Sequence, residues 1–162
     1  MTHSHELTVV EAAKKIRRHE ISPVAMMEDL LNRVSRLEPT LTVWVTLNAD
    51  AVLETARQRE RELLNEGPRG PLHGVPVGIK DIYYTQGVLT TAGSLILADF
   101  VPDFDATTVA KLKQAGAIIM GKTVTTEFAC GDPSPTRNPW NVHHTPGGSS
   151  SGSAVGVAAG MF

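Results

Sequence analysis

A strand, a helix and a second strand follow one another between residues 75 and 120, and this order constrains the fold more than any other feature. Val75–Ile79 is a short apolar segment, Asp105 is placed to cap a helix that Gly116 ends, and Ala117–Met120 is a continuous apolar run. Parallel strands need such a crossover helix, and parallel sheets are covered by helices on their faces. The sequence therefore predicts an α/β fold with a mixed, largely parallel sheet covered by helices.

The preceding part of the chain has helical periodicity. Apolar residues recur at i, i+3, i+4 and i+7 from Val9 to Ile16. Ser22 and Pro23 have the order of an N-cap and a first helical residue. Val43–Leu47 is rich in β-branched residues and predicts a strand, and Asp50 is expected to cap a third helix that ends near residue 65.

Turn-forming residues at Gly67–Pro71 mark a change in composition. They predict an N-terminal helical segment over residues 1–66 and the first part of the sheet over residues 67–162. Two sheet strands and one crossover are too few for a doubly wound layer, and residues 151–162 carry no charge although they follow directly on a polar loop. We expect the chain to be the front part of a larger protein.

The composition excludes several classes of function. The formal net charge is −2, and nucleic-acid binding requires a concentrated basic face. No apolar run reaches the roughly 18 to 20 residues that cross a bilayer. A single cysteine, Cys130, excludes an internal disulfide and a cysteine-built zinc site, while the histidines at 3, 5, 143 and 144 have no recognisable metal-ligand spacing. We expect a cytoplasmic protein without a metal.

Serine and glycine are concentrated in Pro146–Ala154. A phosphate-binding loop would need a lysine where Ser153 stands. Gly148–Gly152 matches the G-x-S-x-G pattern of a nucleophile elbow, but no strand is predicted before it and no Asp and His follow it. A flexible linker fits the composition but not the apolar helix predicted directly after it.

Lys80 ends the apolar segment that begins at Val75. Most such lysines extend their ammonium group to solvent. A buried lysine is instead able to lose its proton and act as a general base, so Lys80 is a candidate catalytic residue.

The chain resembles the amidase signature family. The resemblance rests on six islands that occur in the family's order over residues 70–162: Gly70–Asp81, Thr90–Ser94, Asp105–Val109, Ala115–Thr123 with Glu127–Ala129, Thr136–Asn141, and the serine–glycine cluster. It implies a Ser–cis-Ser–Lys triad, in which Lys80 matches the lysine and Ser149 the cis-serine. Ser150, Ser151 and Ser153 are then expected to cap and hydrogen-bond the following helix.

By the same resemblance, the reaction needs no cofactor and no metal. Neutral Lys80 would accept a proton from Ser149, which would take one from a nucleophilic serine. The family's nucleophile and oxyanion donors lie in a later Gly-Gly-Ser island that this chain lacks, so we expect the chain alone to be inactive.

The link Cys130–Pro135 is shorter than the one usual in the A subunits of tRNA-dependent amidotransferases, which favours a stand-alone amidase. The link is expected to line the substrate cleft, with Cys130 and Gly131 as wall residues, although a buried apolar filler is the commoner role for a lone cysteine.

Other hypotheses remain open. The chain is alternatively a non-catalytic amide-binding or regulatory fragment, or the front part of an amidotransferase A subunit. A third hypothesis, a hydrolase that pairs Cys130 with His143 or His144, places its histidines in a surface loop. The partners expected are a small-molecule amide and, in a homodimer, a second copy of the chain. Trp140 is expected to anchor its loop in the core.

Overall fold

The structure is a computed structural model that describes residues 3–131 and 133–162. It contains five α-helices and three β-strands within these residues, in the order α1 (Val9–Arg17), α2 (Pro23–Leu41), β1 (Trp44–Leu47), α3 (Ala49–Asn65), β2 (Pro76–Lys80), α4 (Thr107–Gln114), β3 (Ile118–Thr123) and α5 (Ser151–Ala158). Short 3₁₀ turns lie at Ser4–Glu6, Leu95–Leu97 and Glu127–Ala129. The α/β class predicted from the sequence is confirmed.

The strands form one mixed sheet in the order β1-β3-β2. β2 and β3 are parallel, with Pro76 opposite Ile118 and Lys80 opposite Thr123. β1 runs antiparallel to β3 and pairs Trp44 with Thr123. Because β2 lies at one edge of this sheet, its last residue, Lys80, lies at that edge too.

One hydrophobic core joins the helices to the sheet. It contains side chains of α1, α2, α3, β1, β3 and α5, and its largest fully buried apolar members are Ile16, Met26, Met27, Ile118, Met120 and Met161. The amphipathic spacing of α1 and α2 explains this burial, since residues three and four apart share one helix face. Within the described residues, no helix is both long and apolar enough to cross a membrane.

Two predicted helix caps are wrong. Asn48, and not Asp50, caps α3, and its side chain accepts a hydrogen bond from the Ala51 amide at 3.1 Å. The N-cap of α4 is Ala106, while the Asp105 carboxylate accepts hydrogen bonds from the Gln86 amide and from Lys113 Nζ, each at 2.8 Å. The Asp105 carboxylate therefore bonds to a lysine near the end of α4 and to a distant backbone amide, and not to the first turn of the helix.

Other local expectations have mixed outcomes. Ser22 caps α2 and Pro23 occupies its first turn, as predicted. Trp140 does not anchor its loop in the core, because 80% of its surface is exposed. The strand predicted at 117–120 extends as far as Thr123.

Candidate active site

Lys80 and Ser149 meet although 69 residues separate them in the sequence. Lys80 Nζ lies 2.6 Å from Ser149 Oγ, which is hydrogen-bond distance. β2 delivers the lysine from the edge of the sheet, and the loop before α5 delivers the serine. The fold thus brings together the two residues that the sequence analysis selected as catalytic.

The backbone around Ser149 is fixed to the end of β3. The Ser149 carbonyl accepts a hydrogen bond from the Thr126 amide at 3.1 Å, and the Gly152 amide donates to the Val124 carbonyl at 2.9 Å. The peptide bond between Gly148 and Ser149 is cis. These contacts determine where the Ser149 hydroxyl stands relative to Lys80.

Gly152 allows α5 to begin this close to the sheet. A Cβ atom at this position would overlap the Val43 carbonyl oxygen and the Val124 nitrogen. Both are backbone atoms, which cannot move aside as a flexible side chain can. A glycine is therefore required one turn after Ser149.

The other serines of the cluster do not act as predicted. Ser150 occupies the N-cap of α5 without a side-chain capping bond. Ser153 Oγ lies 2.7 Å from Thr123 Oγ1, so it bonds to β3 and not to its own helix. Ser151 Oγ is buried and has no hydrogen-bond partner among the described residues.

The environment of Lys80 makes its neutral form more accessible than that of a fully exposed lysine. The side chain is partly buried, and this burial lowers the pKa of the Lys80 ammonium below its usual range, because desolvation penalises the charged state. A neutral amine beside a hydroxyl is able to accept its proton. The Lys80–Ser149 pair is thus arranged for proton transfer.

A buried ion pair lies next to this site. Lys122 on β3 and Asp81, which follows Lys80, are both fully buried, and Lys122 Nζ lies 3.0 Å from the Asp81 carboxylate. Burial lowers the pKa of the Lys122 ammonium, and the Asp81 carboxylate opposes this effect. Sequence analysis did not single out this pair. The available signal was a lysine within an apolar strand, two residues after Met120.

A cavity of about 550 Å³ opens beside Ser149. Its walls include Cys130, Gly131 and Pro133 from the short link, and Gly147, Gly148 and Ser149 from the serine–glycine cluster. Cys130 is exposed, so the alternative of a buried apolar filler is wrong. The structure places both predicted wall residues around the same space as Ser149.

The histidines lie apart from this arrangement. His143 and His144 are exposed, and among the described residues Cys130 Sγ has its hydrogen-bond contact with the Phe128 carbonyl, at 3.6 Å. Among those residues, potential metal ligands cluster only at His3, His5 and Asp29, where the ligand atoms lie within 4.8 Å of one another. The structure does not bring the four histidines considered in the sequence analysis into one cluster.

Comparison with known proteins decides the family. The family model described as Amidase matches residues 25–162. The chain belongs to the amidase family. Among curated amidase-family relatives, the A subunit of the glutamyl-tRNA(Gln) amidotransferase of Desulfatibacillum aliphaticivorans is 43% identical over 163 residues, which cover 97% of this chain and 33% of the relative.

Solved structures of amidase-family enzymes have the same fold. The native peptide amidase of Stenotrophomonas maltophilia superimposes with a TM-score of 0.88 at 38% identity, over 96% of this chain and 34% of its own. A bacterial aryl acylamidase superimposes with a TM-score of 0.91 at 27% identity, over 99% of this chain and 35% of its own. The chain thus spans about a third of the length of the amidase-family proteins it matches.

Proposed function

We propose that this chain supplies the lysine and the cis-serine of an enzyme that hydrolyses the C–N bond of linear carboxylic amides. The observation that carries the proposal is the 2.6 Å contact between Lys80 Nζ and Ser149 Oγ. Membership of the amidase family supports it.

Neutral Lys80 accepts the proton of Ser149, and Ser149 takes the proton of a nucleophilic serine as that serine's oxygen attacks the amide carbon. The proton returns through the same pair to the leaving amine, and an acyl-enzyme remains. Water then attacks the acyl carbon and gives its proton to the same pair, and the pair passes that proton to the departing oxygen of the nucleophilic serine as the acid is released. Lys80 and Ser149 are thus restored at the end of acylation and again at the end of deacylation.

In this proposal the nucleophile and the oxyanion-stabilising amides come from outside residues 1–162. Their absence would leave the chain alone inactive, since even one missing oxyanion donor costs about 100- to 1,000-fold in rate. Lys80 ends a strand at the edge of the sheet, so another segment of polypeptide is able to approach the Lys80–Ser149 pair from that side.

The substrate is proposed to lie in the cavity beside Ser149, against Cys130 and Gly131. We also propose that the enzyme acts in the cytoplasm, that it makes no direct contact with nucleic acid, and that it forms a homodimer if it self-associates. The single cysteine supports the first of these proposals, and the near-neutral charge supports the second. The division at residues 66 and 67 also stays a proposal.

The test is an amidase assay on the complete enzyme that contains this chain. Lys80→Met and Ser149→Ala should each lower kcat by about 100- to 10,000-fold, the usual contribution of general acid–base groups. The double variant should lose little more, because the two residues act in one relay. Lys111→Met, which removes an exposed lysine from α4, is the matched control and should keep full activity. Activity retained in Lys80→Met would refute the proposal.

A second candidate function is supported by the 43% identity to an amidotransferase A subunit. The short link at residues 130–135 argues for the stand-alone enzyme. The same assay separates the two: a stand-alone amidase hydrolyses simple amides without added proteins or tRNA. An amidotransferase subunit would instead need its partner proteins and glutamyl-tRNA(Gln) for efficient turnover.

A further inference from the structure

We propose that the buried ion pair between Asp81 and Lys122 is a positioning device for Lys80, which fixes the end of β2 so that the lysine amine stays on Ser149. The inference rests on the proposed function, because it assigns a role in that same reaction. Neither residue touches the cavity beside Ser149.

Asp81 is immobilised from several directions. One of its carboxylate oxygens accepts hydrogen bonds from the Thr91 amide at 2.9 Å and from Thr91 Oγ1 at 2.6 Å. Its own amide donates to the Thr123 carbonyl at 3.0 Å, and its carbonyl accepts from the Ala92 amide at 2.9 Å. The residue directly after Lys80 is thus tied to β3 and to the loop at 91–92.

Lys122 supplies the other half of the device. It pairs with Ile79 in the parallel register, one step before the Lys80–Thr123 pair. Its ammonium reaches Asp81 at 3.0 Å and donates to Thr90 Oγ1 at 2.6 Å. The pair therefore links β2, β3 and the loop at 90–92 at the point where Lys80 leaves the strand.

Stability alone does not explain a pair in this place. Removing two charges from water costs about as much as their attraction returns, and apolar residues of similar size often stabilise a core as well or better. An ion pair does impose a fixed geometry on the groups that carry it. That property is what a proton relay across a 2.6 Å contact requires.

The pH dependence of the reaction distinguishes a positioning role of the Asp81–Lys122 pair from a merely structural one. The charged side chains on the segments around Lys80 are Asp81 on its own segment, Lys122 on β3 and Glu127 in the turn at 127–129, while α5 has none. Lys122→Met removes the positive charge that faces Asp81, so the charge around Lys80 becomes more negative. A more negative environment favours the charged form of Lys80, so a higher pH is needed to generate the neutral base.

The experiment uses the complete enzyme and three variants: Lys122→Met, Asp81→Asn and the double variant. The number of active sites is measured by fluorophosphonate titration, so that kcat refers to folded enzyme only. We expect each single variant to lose about 10- to 100-fold in kcat per site, the cost of slight misplacement, with KM unchanged. In Lys122→Met, the rising limb of kcat/KM against pH should move up by at least about 0.5 unit. The double variant should return it to the wild-type position.

His73→Gln is the control, since it removes a buried, hydrogen-bonded side chain before the start of β2. It should lower stability without changing kcat per site or the pH limb. Wild-type kcat and an unshifted limb in Lys122→Met would overturn the inference. If Lys122→Met yields no folded enzyme, kcat is measured instead in the uncharged double variant. A wild-type kcat in the double variant would overturn the inference equally.

The proposed function fails separately. If the wild-type enzyme hydrolyses no amide, or if Lys80→Met stays active, the proton relay itself is wrong. If both of those tests succeed and the ion-pair variants behave as wild type, only the positioning role of Asp81 and Lys122 is wrong.

Discussion

Two lysines on neighbouring strands have different roles because their surroundings differ. Lys122 is fully buried against a carboxylate, which keeps an ammonium group there tolerable. Within the described residues, the hydrogen-bond partner of Lys80 is a hydroxyl and not a carboxylate, so burial lowers its pKa without that compensation. Residue type alone does not separate a structural lysine from a candidate base; the partner atom does.

Histidine 73 offers a test of such partner effects on stability. Its Nδ1 accepts a hydrogen bond from the Arg69 amide at 3.0 Å, and its Nε2 lies 2.8 Å from the Arg59 carbonyl. The first contact requires an unprotonated Nδ1, so Nε2 carries the proton and donates to the carbonyl. Burial lowers the pKa of the His73 imidazole below its ordinary value of 6.5.

We therefore expect the free energy of unfolding to depend on pH through His73. Above pH 6.5 the His73 ring is neutral in both the folded and the unfolded chain, so its protonation does not reduce stability. Below that pH the unfolded chain takes up a proton first, so stability falls until the pH passes the lowered native pKa. Urea unfolding of the wild type and of His73→Gln, measured from pH 7.5 to 5, should show their difference in stability shrinking as the pH falls. A difference that stays constant or grows would contradict the neutral ring.

At the scale of elements, the short helix α5 positions the loop that carries Ser149 against the end of β3. It begins two residues after Ser149, and its first turn touches the backbone at the end of β3. Small residues make this approach possible, and Gly152 is the position where no side chain fits. The register between α5 and β3 thus determines where the Ser149 hydroxyl lies.

Gly152→Ala should disturb both stability and the site. The added methyl group overlaps two backbone atoms, and overpacking of this kind costs about 1 to 3 kcal/mol. Because α5 must shift, the Lys80–Ser149 distance should lengthen and kcat should fall more than stability alone explains. Denaturant unfolding and amidase assays are the measurements. Val157→Ala on the same helix, at a residue that is 65% exposed, should change stability by less than about 0.5 kcal/mol.

At the scale of the whole molecule, the chain corresponds to about a third of the length of the proteins it matches. The match to an amidotransferase A subunit covers 97% of this chain but 33% of the subunit. The match to a peptide amidase covers 34% of that enzyme. Within the described residues, the sheet has three strands, and its edge strand β2 carries Lys80. Lys80, the proposed base, therefore lies at an edge of the described sheet.

Fluorophosphonate labelling of the complete enzyme tests this arrangement. The reagent phosphonylates activated serine nucleophiles with loss of fluoride, and we expect mass spectrometry to map its adduct outside residues 1–162. Lys80→Met should slow the labelling, because the nucleophile then lacks its base. An adduct on Ser149, or on any other serine of this chain, would show that the nucleophile has been assigned to the wrong part of the enzyme.

Local sequence signals determined much of the secondary structure. Helical spacing and the Ser22–Pro23 start predicted α1 and α2, and apolar runs predicted β2 and β3, because each pattern involves residues only a few positions apart. Ordered motifs also identified Lys80 and Ser149 as candidates. Only the tertiary structure decided the strand order, the capture of Asp105 by Lys113 and the Asp81–Lys122 pair. It also decided the exposure of Trp140. The strand order and the Asp81–Lys122 pair depend on contacts between residues distant in sequence, which form only with the whole fold. The Asp105–Lys113 contact spans eight residues, beyond the capping distance that the local pattern considers.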